Sequence, residues 1–337
     1  MSAARPSAAL PSPSTYAFEK PIGDSVRSGD ERIVITGAGG WLGLATLELL
    51  HQCLGPALPR RVVCFGSTQR ELRLRDGTMV AQFPLEGIAS LEPAPTIVLH
   101  LAFLTKDRAE AMPEPEYRAA NRQLSKRVLD ALDAIGTRAV FVASSGAARS
   151  AEDPEASAAM RLYGALKLED ERSFAAWAED GKRAVIARIF NISGPHMNKQ
   201  GSYALGSFIV AALRERSIAV QASHDVVRGY VAIRELMSLV FALLQKHEPS
   251  VVRFDTGGEP MELGAVAETV STIFGGIPVT RPRRASAGAD IYVGNDGSYR
   301  ELLRQEGISQ VPFEQQVVET TAFFADQYGL EGPSGSC

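Results

Sequence analysis

The apolar positions of the chain follow two different periods. Short, nearly unbroken apolar runs occur at "RIVITG", "RRVVCFG", "TMVAQFPL", "TIVLHLAF", "RAVFVASS" and "RAVIARIFN". Runs of this length and β-branched content predict strands buried on both faces of a parallel sheet. Between them, residues 41–53, 114–135 and 158–179 predict helices; in the second, Leu124, Val128, Leu132 and Ile135 fall on one side. This strand–helix rhythm predicts an α/β fold, a Rossmann-type doubly wound parallel sheet covered by helices on both faces.

Past Pro195 the rhythm breaks. "GSFIVAALRERS", "IRELMSLVFALLQ", "LGAVAETVSTIFG" and "QVVETTAFFADQ" predict helices, with short strands at "SIAVQA" and "VVRFDTG". The expectation is a main domain over 31–195 and a smaller mixed α/β carboxyl-terminal lobe over 196–330, whose strands and helices can cross back to the main sheet. In such sheets the ligand crevice lies outside the carboxyl ends of the strands, where this lobe would sit. Residues 1–30 are rich in Pro, Ser and Ala and lack the apolar core of a secretory signal. A mobile tail is expected there; an arm packing through Tyr16 and Phe18 is the alternative.

Composition narrows the partners. The 337 residues are 45% apolar and 22% charged, with a formal net charge of −4. That balance argues against nucleic acid or an acidic membrane as a general partner. Cys53, Cys64 and Cys337 form no C-x-x-C pair, which points to a reducing, cytoplasmic setting and no metal site. No apolar run approaches the length of a membrane span.

"VITGAGGWLG" (34–43) joins the first strand to the first helix of the main domain with glycines at 37, 40 and 43. A tight turn with close helix packing explains glycine there. A bound pyrophosphate explains it further: Gly37 permits the turn, Gly40 lets the backbone approach the anion, and Gly43 lets helix and strand pack. Residues 31–195 therefore read as a dinucleotide-binding domain.

"YGALK" sets Tyr163 and Lys167 four residues apart on one helix face. A phenol titrates near pH 10, too high for acid–base work at neutral pH. An ammonium one turn away favours the phenolate. Upstream, a strand ends in Ser144 and Ser145, whose hydroxyls can hold a substrate oxygen beside the tyrosine. Two solvated side chains on a helix surface are the plainer account of Y-x-x-x-K alone. Behind a glycine-rich turn and a Ser-Ser strand end, catalysis is the better one.

These segments, with H-L-A (100–102), R-I-F-N-I-S-G-P (188–195) and R-G-Y-V (228–231), resemble the NAD-dependent epimerase/dehydratase family of the extended short-chain dehydrogenase/reductase superfamily over about residues 31–325. The resemblance implies an NAD(P)-dependent enzyme acting on a nucleotide sugar, a 4-epimerase or 4-ketoreductase. It implies that Gly37, Gly40, Trp41, Leu42 and Gly43 hold the pyrophosphate, and that Leu101 and Ala102 line the adenosine and nicotinamide side. Ser145, Tyr163 and Lys167 would be catalytic, the last two also touching the cofactor. Ser144, Asn191, His196 and Arg228 would face the substrate. For Arg228 a salt bridge to a surface carboxylate is the alternative, and for His196 a structural role is favoured. The resemblance also implies a homodimer built on the helices at 114–135 and 158–179.

Departures from the family pattern matter. Members that perform 4,6-dehydration carry an Asp-Glu pair after the catalytic serine or threonine; here Gly146 and Ala147 stand there, which disfavours a dehydratase. The GDP-fucose synthase branch resembles the chain at "GPH", but its cysteine partner is Ala147 here. "CFGSTQR" has no acid after the second strand for the adenosine ribose, and Ser67, Thr68 and Arg70 can instead receive a 2′-phosphate. NADP is thereby slightly favoured over NAD, unless Arg70 is merely solvated. A reductase of a small carbonyl compound, or a catalytically silent NAD(P)-binding regulator, are the competing functions. The sequence ranks neither sugars nor bases.

Overall fold

The computed structural model describes residues 16–179, 181–284 and 288–330. Its central sheet takes β1 (Arg32–Thr36), β2 (Val62–Gly66), β3 (Arg70–Arg73), β4 (Met79–Pro84), β5 (Thr96–His100), β6 (Thr137–Ser145) and β7 (Arg183–Ile189). After β8 (Asn191–Ser193), β9 (Ile218–Ala219) and β10 (Val226–Ala232), which lie elsewhere, β11 (Ser250–Asp255) completes it. The order is β11-β7-β6-β5-β1-β2-β4-β3. All pairings are parallel except β3 on β4. The chain runs outward from β1 to β2 and β4, then returns to the other side at β5. The order thus reverses between β1 and β5, the switch point at which such sheets bind ligands.

Alternation along the strands divides the core into two layers. Ile33, Ile35, Ile97, Leu99, Phe141 and Val185 face one way. They are covered by α1 (Lys20–Ser28), α2 (Trp41–Leu54) and, further on, the helix at 233–244. Val34, Val98, Val140, Val142 and Ile186 face the other way. A short helix, α3 (Leu58–Arg61), leads into β2, and α4 (Lys106–Ala111) precedes the two long helices of that second layer. These are α5 (Glu114–Leu132) and α6 (Ala158–Ala178), which bury Val128, Leu132 and Phe174 against it.

The smaller lobe holds α7 (Ala204–Glu215), α9 (Leu263–Ile273), α10 (Asp296–Gln305) and α11 (Phe313–Tyr328), while α8 (Ile233–Leu244) packs on the main sheet. β10 is its spine, paired with β8, with β12 (Pro260–Glu262) and with β14 (Asp290–Tyr292). β9 pairs with β13 (Val279–Thr280). Two segments of 196–330, α8 and β11, therefore belong to the main layer.

One expectation is corrected. Residues 16–30 are not a mobile tail: Tyr16 and Phe18 are buried, and α1 packs on α2 and α8. Phe18 meets Phe241 edge-on with centroids 5.1 Å apart. The Glu19 N–H donates to Ser238 at 3.0 Å, and the Cys53 thiol donates to the Gly23 carbonyl at 3.0 Å. The amphipathic spacing of Ile22 and Val26 outweighs the Pro-Ser-Ala bias of the segment before it. Residues 1–15 and Cys337, also named above, lie outside the described residues.

A candidate dinucleotide and Ser-Tyr-Lys site

The glycine-rich turn leaves β1 at Gly37, whose φ of +73° suits only glycine well. A side chain there would strike the Ala102 backbone, 2.7 Å from its nitrogen. At Gly43 it would strike the Gly37 and Ala38 carbonyls at 2.6 and 2.5 Å. Gly40 differs: an added Cβ would meet only the Gly37 oxygen, at 3.2 Å. Gly40 is the N-cap of α2, so the first N–H groups of that helix, at Trp41, Leu42 and Gly43, lack partners within it. Oriented donors beside an open glycine suit a phosphate. Leu101 N–H donates to the Thr36 carbonyl at 3.1 Å, and Ala102 N–H to its hydroxyl at 3.3 Å, so the end of β5 is tied beside this turn. The Trp41 indole donates to Pro195 O at 2.8 Å, which brings the start of the smaller lobe to the same place.

Gly66, rather than an acid, ends β2. Gln82 of β4 lies beneath it, accepting from Gly39 N–H at 3.1 Å and donating to Thr68 O at 2.8 Å. Arg70, the first residue of β3, donates to the Gly39 carbonyl at 3.3 Å. Ser67 sits exposed in the same connection. β3 and Gln82 were not legible as part of this corner. A lone glutamine inside "MVAQFP" was the available signal.

Ser145, Tyr163 and Lys167 come together at the carboxyl end of β6 and the first turns of α6, which the Ser157 side chain caps at 3.2 Å. The Ser145 hydroxyl accepts from Ala147 N–H at 3.2 Å. Burial pushes the Tyr163 phenol above its ordinary range, and the neighbouring Ser145 hydroxyl works against that rise. Lys167 donates to the Ala143 carbonyl at 2.8 Å, and its ammonium lies 3.6 Å from the centre of the Phe103 ring. It stands 6.0 Å from the centre of the Tyr163 ring. Burial lowers the Lys167 ammonium to about 8, against the opposing pull of Asp170 and Glu171. The expected help from the lysine to the phenolate is therefore not expressed here, because the ammonium is turned to Ala143 and Phe103.

Other expected contacts fall elsewhere. Ser144 does not join the trio: successive residues of a strand point to opposite faces. Its hydroxyl donates to Glu171 at 2.5 Å, and Arg188 holds that carboxylate through two bonds of 2.8 Å. The Asn191 amide donates to Gly229 O at 3.2 Å and to Tyr292 O at 3.5 Å, spanning β8, β10 and β14. Arg228 pairs with the exposed Asp290 at 2.7 Å. His196, at φ +66°, is bonded to Glu48 of α2 at 2.9 Å and packs near Phe323. Among the described residues no cluster could hold a metal ion, and no helix is long and apolar enough to cross a membrane.

A doubly wound sheet with a glycine-rich turn at its switch point and Ser145, Tyr163 and Lys167 at the end of the neighbouring β6 and the start of α6 has the scaffold of the short-chain dehydrogenases/reductases. The chain belongs to the NAD dependent epimerase/dehydratase family, whose model matches residues 33–255. It is thus an enzyme of the extended short-chain dehydrogenase/reductase type. Its fold is similar to that of a UDP-N-acetylglucosamine 4-epimerase from Methanobrevibacter ruminantium M1, solved with UDP-N-acetylmuramic acid. That pair has a TM-score of 0.68 and 20% identity, covering 88% of this chain and 99% of the other. MoeE5 in complex with UDP-glucose and NAD gives a TM-score of 0.67 and 17% identity, over 88% and 99% of the two chains. Among curated relatives, UDP-glucuronic acid decarboxylase 1 of Xenopus tropicalis is 26% identical over 96 residues, 28% of this chain and only 22% of its own length.

Proposed function

We propose that this chain is an NAD(P)-dependent nucleotide-sugar 4-epimerase or 4-ketoreductase. The observation that carries the reading is that Ser145, Tyr163 and Lys167 lie at the end of β6 and the start of α6. Phe103, one residue past Ala102, lies against Tyr163 and Lys167, and the Ala102 backbone is tied to Thr36 before the glycine-rich turn. The residues present suit a dinucleotide: Gly37 and Gly43 have no room for side chains, and Gly40, at the N-terminus of α2, has only the Gly37 carbonyl within 4 Å of an added Cβ, at 3.2 Å. When bound, the nicotinamide group supplies a hydride acceptor and donor for a sugar carbon. Tyr163 would take the proton of the sugar hydroxyl and return it. Ser145 would hold the same oxygen, and Lys167 would hold the cofactor ribose and, once turned to Tyr163, stabilise the phenolate. Gly146 and Ala147 offer no carboxylate for eliminating water, so simple proton and hydride exchange at one carbon is the economical chemistry.

NADP is the preferred form in this reading, because a neutral amide and Arg70 occupy the corner beyond β2. The outer faces of α5 and α6, where Arg122, Lys126, Leu129, Glu169 and Ser173 line a groove, are the proposed dimer seam. Denaturing the purified protein and identifying released ligands by mass spectrometry tests the whole. Retained dinucleotide supports the epimerase, and a site that exchanges cofactor freely supports the reductase. A protein that binds no dinucleotide at all would end both.

A further inference from the structure

The sheet ends at β11, and a cleft opens along that edge. Between α6 and the first turns of α10 lies a cavity of about 670 Å³, a size that takes a small organic ligand. In the sheet order β11 stands four strands from β1, about 19 Å at ~4.8 Å per strand, so this cleft is not the dinucleotide crevice. Register sets its inner wall. Asp255 pairs with Arg188, Arg188 with Ser144, and Arg253 with Ile186. These side chains therefore share the sheet face that α6 covers, opposite to that of Ser145.

Three arginines line the cleft: Arg149, Arg188 and Arg253. Glu171 holds Arg188 flat through two bonds of 2.8 Å. Asp255 holds Arg149, which lies over the Phe190 ring, 5.4 Å from its centre. Each guanidinium has five N–H donors and no acceptor, so these carboxylates leave most donors of Arg149 and Arg188 unused. Arg253 is exposed and has no hydrogen-bond or ion-pair partner among the described residues. The third carboxylate of the lining, Glu301, is taken by Arg304 at 2.6 Å. With every acid matched, Arg253 leaves an excess positive charge.

The outer wall is the start of α10, a helix of 10 residues. Asn295 caps it by accepting from Ser298 N–H at 3.1 Å, while Gly297 N–H in the same turn has no acceptor within the helix. Asp296, the acid of that turn, is turned to Gly258 N–H at 2.9 Å and to Arg300 at 2.5 Å. Ile186 and Leu302 add apolar surface. We propose that this cleft is a ligand site for a compact di- or trianion carrying carboxylate or phosphate groups. Guanidinium forks match the oxygens of either group two at a time. Arginines already held by carboxylates lose little freedom when the ligand arrives. The site shares no residue with the proposed catalytic and cofactor set, so it stands apart from the epimerase or reductase reading.

Titration calorimetry of the full chain with citrate and with inorganic pyrophosphate tests the site. At least one should bind, the tighter probe naming the acid, and binding should weaken as salt is raised. Arg253 lies at the surface, so Arg253→Gln should keep the fold. It should weaken binding by about 10-fold, the contribution of one charge-assisted contact. Gly297→Asp is the second variant. A Cβ there meets only Asn295 Oδ1, at 3.7 Å, and an acid in the first turn suits a helix N-terminus, so the melting temperature should hold or rise. Its carboxylate would nevertheless repel an anion, and binding should fall by a similar factor. Pyrophosphate seated on the glycine-rich turn would ignore both changes. Full affinity in either variant overturns the proposal, as does the failure of both probes to bind.

Discussion

Gln82 fills the space that a side chain at position 66 would need: a Cβ on Gly66 would lie 2.5 Å from Gln82 Oε1. In the proposed reading, an uncharged amide from β4 thereby stands where the end of β2 would otherwise meet the adenosine ribose. A carboxylate there favours NAD by accepting from the 2′-hydroxyl and would repel a 2′-phosphate, whereas a nearby arginine favours NADP. Arg70→Ala should weaken NADP(H) by about 10-fold, in line with the loss of one charge-assisted bond, and leave NAD(H) alone. Gly66→Asp made together with Gln82→Ala should favour NAD. Titration calorimetry with both cofactors decides; equal weakening of the two by Arg70→Ala removes its role.

The three glycines of the first turn should fail in different ways. An added Cβ at Gly40 presses only on the Gly37 carbonyl, at 3.2 Å, so in the proposed reading Gly40→Val should cost less stability than a side chain at Gly43 while it crowds the pyrophosphate. Dinucleotide binding should be lost with a smaller fall in melting temperature than Gly43→Ala causes. Gly43→Ala presses on two carbonyls and should destabilise the fold by ~1–3 kcal/mol. Melting curves beside calorimetry separate them, and full affinity in a folded Gly40→Val protein would dismiss the phosphate role.

Much of this was legible in the chain. Buried parallel strands read as continuous apolar runs, so β1, β2 and β5 to β7 stood out, and the Tyr163 and Lys167 spacing fixed one helix face. What escaped is set by partners distant in sequence. β10 and β14 are half-buried strands whose pairing gives them their form, and neither has a clear period of its own. Tyr292 is brought to Phe190 through that pairing. Ser144 and Ser145 looked equivalent as letters, and the pleat sends them to opposite faces. The first helix was hidden by the composition of the segment leading into it.

That first helix carries a prediction about stability. Phe18 is buried against Phe241, and the residues after it pack on α2 and α8. Phe18→Ala should cost ~3 kcal/mol, the usual toll of emptying a buried aromatic site. A solvated arm would lose almost nothing. Chemical denaturation of the two proteins gives the difference directly.

Lys167 should make folding and cofactor binding oppose each other. Burial lowers its ammonium from 10.5 to about 8, so between these values the unfolded chain holds a proton that the folded chain has shed. Stability then rises with pH across that window, and the charge penalty is fully present below pH 8. Lys167→Met should raise the melting temperature at neutral pH, and the gain should shrink as pH approaches 10.5. Dinucleotide affinity should move the other way, falling in the native protein as pH rises through about 8 and staying flat in the variant. A variant less stable at neutral pH would show that its bond to Ala143 outweighs the buried charge.

Tyr163 carries the chemistry in this reading, and Tyr163→Phe isolates its hydroxyl. The ring packs edge-on against Phe103 with centroids 5.7 Å apart, and phenylalanine keeps that contact. Dinucleotide affinity should therefore stay near that of the native protein. Turnover should drop by about two to four orders of magnitude, the usual contribution of a positioned general acid–base. Lys167→Ala should differ by lowering both turnover and cofactor affinity, since one ammonium serves both. The two variants are compared by steady-state turnover and dinucleotide titration, on the substrate that the released-ligand experiment returns. Two residues that merely share a helix face would give near-normal rates in each case. Full turnover in Tyr163→Phe would leave the glycine-rich fold intact and remove the acid–base role.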